Sequence, residues 1–119
     1  MRNERGEVKT VKLVNLTPHE IVLMPAPGGE IHIPPSGTVA RCETCREAKG
    51  VVGVCGTLIP INRTTFGAIT GLPDPAPDTL YIVSAVVAQA ARRDDVVIVD
   101  DAVRDEAGRI IGARALARV

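Results

Sequence analysis

Tryptophan is absent from this sequence, and one phenylalanine and one tyrosine make up all its aromatic content. A core of valine, isoleucine, leucine and alanine can fold, but it buries less area per side chain than one built on rings. Assembly with further copies is one way to recover that burial. Lysine is scarce as well, with three residues against eleven arginines, and the formal net charge is zero. A neutral chain offers no global electrostatic attraction to DNA, RNA or an anionic membrane. No apolar run approaches the length of a transmembrane span, and MRNERGEVKT lacks the apolar stretch of a secretory signal. The expectation is a cytoplasmic protein whose three cysteines remain thiols.

Catalytic signatures are also missing. There is no GxSxG elbow, no GxxxxGK[ST] and no GxGxxG. The carboxylates gather as adjacent pairs at Asp94-Asp95, Asp100-Asp101 and Asp105-Glu106. Neighbours on a strand point to opposite faces, so such pairs do not make a two-carboxylate acid–base site. They read as solvated loop charges, and the chain reads as a non-enzyme with no cofactor.

What is present is a series of short apolar runs separated by proline and glycine. Val8–Leu16 alternates like a strand and is interrupted by Asn15-Leu16-Thr17-Pro18-His19-Glu20, where Pro18 sets a turn. Ile21–Met24, Glu30–Ile33 and Thr38–Arg41 read as three more strands, and the hydrophilic Cys42–Gly50 as a loop. Val51–Val54 and Thr57–Ile61 resume the strand pattern around Cys55-Gly56, and residues 62–71 form a possible further strand. Leu72–Asp78, with three prolines in seven residues, reads as a stiff exposed crossover.

The chain is expected to be organised around Thr79–Arg93. Leu80–Val83 reads as a buried strand, Ser84 as a helix N-cap, and the alanine-rich stretch after it as a helix apolar on nearly every side. Val96–Val99 then reads as an interior strand. Asp105–Gly108 is a hairpin turn into a last strand over Arg109–Ala117. The expected fold is α+β in one domain spanning 1–119. It has a β-rich N-terminal half, one buried helix at about 84–93 in a strand–helix–strand unit, a C-terminal hairpin and a loose 1–7 segment.

Two residue constellations carry candidate chemistry. Cys42-Glu43-Thr44-Cys45, Cys55 and His32 supply three sulfurs and an imidazole, the donor types of a tetrahedral zinc site, in a spacing that matches no standard finger. Arg41, Arg63 and Arg114 with Phe66, Tyr81 and Gln89 supply the forks and stacking surface that a nucleotide needs. Surface arginines with ordinary core aromatics account for the same residues.

Three segments together resemble small bacteriophage and prophage proteins: Val14–His19, Ile33–Arg41, and Gly71-Leu72-Pro73 running on to Tyr81–Ala90. The layout is also similar to the Thoeris anti-defence proteins, which sequester cyclic ADP-ribose-type signals. That resemblance implies a homo-oligomer in the host cytoplasm that binds a small nucleotide immune signal without turning it over. Arginines, an aromatic and a side-chain amide would hold the ligand, types found here at Arg41, Arg63, Arg114, Phe66, Tyr81 and Gln89. The alternative is a structural or protein-interaction module of phage origin, with or without a zinc staple through Cys42, Cys45, Cys55 and His32.

Overall fold

The computed structural model describes residues 10–26 and 28–119. The loose segment expected at 1–7 lies outside them. Eight strands and one helix follow in the order β1 (Lys12–Asn15), β2 (Ile21–Leu23), β3 (Ile31–Ile33), β4 (Arg41–Val54), β5 (Thr57–Thr70), β6 (Thr79–Ile82), α1 (Ala85–Ala91), β7 (Val96–Arg104) and β8 (Ile110–Ala117). Six of the strands form one sheet in the order β1-β6-β7-β8-β2-β3, and β4 and β5 form a separate two-stranded ribbon.

The six-stranded sheet curls until its two edges nearly meet, and Asn15 closes the seam. Its amide donates to the Ile33 carbonyl at 3.0 Å and to the His19 carbonyl at 2.7 Å. Its Oδ1 accepts from the Thr17 N–H at 2.9 Å and the Thr17 hydroxyl at 2.6 Å. The Ser36 N–H returns to the Asn15 carbonyl at 3.0 Å. Asn15 is the sole buried polar residue among those described, and these bonds use its whole amide capacity.

Alternation along β6 divides the core in two. Leu80 and Ile82 point into the curled sheet with Val97, Leu13, Ile21, Ile33 and Leu116. Tyr81 and Val83 point outward, where Leu16, Ala40, Val87, Ala88 and Val96 cover them. A strand buried on both faces carries a continuous apolar run, which is why Leu80–Val83 stands out in the sequence.

The α+β expectation is overturned here. The molecule is mostly β, a nearly closed sheet with a projecting ribbon, and its one helix is seven residues long instead of filling 84–93. Ser84 does cap it, its hydroxyl accepting the Val87 N–H at 3.4 Å. The helix nevertheless lies on the outside of the sheet with only Val87 and Ala88 buried, and Ala85, Val86 and Gln89 face solvent. Alanine is small enough to suit either environment, so an alanine-rich run does not identify a buried helix. Arg92 ends the helix in the left-handed conformation at φ 50°, its N–H bonding the Ala88 carbonyl at 3.1 Å.

The second correction concerns Cys42–Gly50, expected as a loop and found inside a 14-residue strand. β4 and β5 pair antiparallel from Arg41↔Thr70 to Val54↔Thr57 and turn tightly at Cys55-Gly56, both at positive φ. A strand of 14 residues spans roughly 45 Å at about 3.3 Å per residue. This arm stretches the molecule to 56 Å along its longest axis, with a radius of gyration of 18.0 Å. A compact chain of this length would have a radius of about 13.5 Å.

The neck of the arm is fixed at both strands. Ala40 is buried and donates its N–H to the Leu16 carbonyl at 3.0 Å. On the returning strand Gly71 sits at φ 78°, where a Cβ would lie 2.3 Å from the Val39 carbonyl oxygen.

Candidate functional site

Strand alternation and register place the arm's side chains on two faces. One face carries Val52 and Val54 against Ile59 and Thr57 at the tip, then Ile61, with Glu47 opposite Arg63 nearer the body. The other carries Val51 opposite Pro60 and Leu58 opposite Gly53, then Arg46 opposite Thr64 and Thr44 opposite Phe66. Six large apolar residues of the tip lie open to solvent: Val51, Val52, Val54, Leu58, Ile59 and Ile61, between 42 % and 72 % exposed. No further strand pairs with either outer edge among the described residues. An isolated two-stranded ribbon is marginal in water, and open edges are templates for another chain.

At the root of the arm a cleft of about 630 Å³ opens between β5 and the C-terminal end of α1, lined by Phe66, Gln89 and Arg92. Phe66 is 44 % exposed, and Arg92 makes no side-chain hydrogen bond or ion pair among the described residues. A ring face, an amide and an unpaired guanidinium together suit a planar anion.

Two of the six expected ligand residues, Phe66 and Gln89, therefore share a site. Tyr81 does not join them. It is 5 % exposed, its hydroxyl donates to the Asp74 carbonyl at 3.1 Å, and the Arg93 guanidinium lies 6.0 Å from its ring centre. Arg41 borders a different recess with Leu16 and Ser84, Arg63 lies exposed on the arm, and Arg114 lines a hollow near Met24 on β8. Arg92 is the residue that sequence reasoning missed. Its signal is faint, because an arginine after an alanine run reads as the last helical turn and not as a left-handed cap.

The cysteines do not converge. Cys42 and Cys45 are on β4 and Cys55 is in the tip turn. Ten residues of extended chain separate Cys45 from Cys55 by roughly 33 Å, against zinc–sulfur bonds of about 2.3 Å. His32 belongs to the body, held between Glu20 at 2.6 Å and Glu30 at 3.0 Å. These hydrogen bonds, Glu20 first and then Glu30, raise its pKa above the usual histidine value of 6.5. No cluster of three metal-binding side chains occurs among the described residues.

Two further features complete the surface. Arg93 grips Asp95 through two bonds of 2.9 and 2.6 Å and donates to the Pro73 carbonyl at 3.0 Å, which pins the proline-rich crossover. Those bonds hold the Asp95 carboxyl below its usual range. Elsewhere on the body, a groove of about 360 Å³ lies between β2, β7 and β8. Exposed Val99, Ile110 and Ile111 line it, with Glu20, Asp100 and Asp101 beside them. No helix among the described residues is long and apolar enough to cross a membrane.

Comparison with protein-family models, with curated proteins and with solved structures finds no match to this chain.

Proposed function

We propose that this protein is a non-enzymatic, self-assembling interaction module whose β4–β5 arm is completed by a second copy. The observation that carries this is the exposed apolar tip on an open-edged ribbon. Burial of those side chains stabilises association by about 25 cal/mol per Å² of apolar area, and packing on a second copy would support a hairpin that is marginal alone. The reading keeps the expectation of a homo-oligomer and sets the zinc staple aside. Cytoplasmic placement accords with three free thiols, two of them exposed.

Sedimentation velocity tests this reading. The wild-type chain is expected to run as a dimer or larger species and to dissociate on dilution. Ile59→Lys is expected to give monomers whose body melts at an unchanged temperature. A monomeric wild type at hundreds of micromolar would contradict the proposal.

The Phe66–Gln89–Arg92 cleft supports a second reading, a binder of a nucleotide-type anion. The sequestration of an immune signal by a phage protein rests on the sequence resemblance described above. A thermal-shift screen with ADP-ribose, cyclic ADP-ribose isomers and cyclic oligonucleotides tests it. A ligand at a hundred times its Kd adds about 2.7 kcal/mol. Arg92→Ala is expected to remove the shift and Arg114→Ala to leave it. No shift with any compound would dismiss this reading.

A further inference from the structure

We propose that the groove between β2, β7 and β8 is the receptor for the arm tip of a second copy. This rests on the self-assembly reading above and names the surface that meets the arm. The chain carries two features that match each other in polarity and charge. The tip projects Val52, Val54, Ile59 and Ile61 from one face of the arm. The groove is a recess of about 360 Å³ with Val99, Ile110 and Ile111 exposed along it, enough for a few aliphatic side chains.

Charge sorts the same way. Below the tip the arm carries Arg41, Arg46, Lys49 and Arg63 against Glu43 and Glu47, a net excess of positive charge. Arg63 lies opposite Glu47 on the docking face, Arg46 is on the other face, and Lys49 is paired with Glu47 at 3.0 Å. The groove is lined by Asp100 and Asp101, and by Glu20, which is engaged by His32 at 2.6 Å, with no cation among the lining residues themselves. Opposite potentials on the two surfaces favour their encounter and set their orientation. Within one chain the arm's contacts outside its own ladder go chiefly to α1, so the match is between copies. A twofold axis would let each copy place its arm in the other's groove.

Asp101 adds an independent mark. It is held at φ 59° within β7, a conformation that costs a residue other than glycine. Strain of this kind gathers at binding sites. Glycine at 101 would relieve the backbone while removing a groove carboxylate that the docked arm's positive charge would meet. Asp101→Gly is therefore expected to leave the melting temperature of the dilute monomer equal or higher while weakening association by about tenfold.

Mixing tests the pairing directly. Ile59→Asp disables the arm and Ile111→Asp disables the groove, and each alone is expected to sediment as a monomer. An equimolar mixture is expected to form a dimer, because one intact arm then meets one intact groove. If Ile111→Asp and Asp101→Gly associate like wild type, arms pair with arms and the groove assignment is overturned while self-assembly stands. If wild type itself is monomeric, the underlying reading fails and this one with it.

Discussion

At Asn15 one buried side chain accepts from Thr17 and donates to the carbonyls of His19 and Ile33, and the seam of the body depends on it. Asn15→Leu removes every one of those bonds and leaves the partly buried Ile33 carbonyl and Thr17 N–H without that partner, while the His19 carbonyl keeps the Thr17 hydroxyl at 3.0 Å. The expected loss is about 2–4 kcal/mol by urea unfolding, from a penalty of roughly 1–3 kcal/mol for each unsatisfied group. A loss below 0.5 kcal/mol would show that the seam is held elsewhere. Asp95 gives a pH dependence at the same scale. Its folded pKa is depressed, so its contribution is present above the unfolded value of 3.8 and fades as pH falls through the folded one. Asp95→Asn is expected to remove that part of the acid limb, which denaturation midpoints between pH 2 and 5 would show. His32 has the opposite sign. Its raised pKa makes the Glu20 and Glu30 bonds favourable below pH 6.5 and lost as pH rises through the folded value. All three groups are about half exposed, so solvent screens the effect.

Among the elements, the arm departs furthest from what the sequence suggests. Residues 42–50 are hydrophilic because both faces of β4 meet water there, and period-two alternation marks a strand only where one face is buried. The turn at Cys55-Gly56 and the flanking strands were legible from apolar runs around a glycine. The continuity of the two strands across 14 residues each was not, since it comes from ladder pairing. The helix failed for the converse reason: its alanines read as buried, and packing on one side of the sheet buries only Ala88 among them, leaving Ala90 and Ala91 half-buried and Ala85 open. Tyr81 was recognisable as part of the central strand, yet its partner Asp74 lies in an irregular crossover that no periodicity predicts. The neck offers a test at this scale. Gly71→Ala forces a Cβ into the Val39 carbonyl and strains a positive φ, and is expected to lower the melting temperature by several degrees. Gly53→Ala, with open space at its Cβ and no positive φ, is expected to change it little.

For the whole molecule, the scarcity of aromatics and the projecting arm have one consequence. The body buries a modest aliphatic core, and the largest exposed apolar group sits at the end of a ribbon that has no sheet beside it. Composition raised the expectation of a partner, and the groove proposed to meet it was not legible, because it is assembled from β2, β7 and β8, which are distant in sequence. The candidate ligand cleft shows the same limit: Phe66 and Gln89 were chosen by residue type, and only the fold sets Arg92 beside them.

Amide hydrogen exchange of residues 49–62, followed from micromolar to hundreds of micromolar protein, addresses the central claim most directly. The account predicts that these amides exchange within seconds in dilute solution and become protected as the chain associates. Exchange that stays fast at the highest concentration, while β6 and β7 are fully protected, would contradict it.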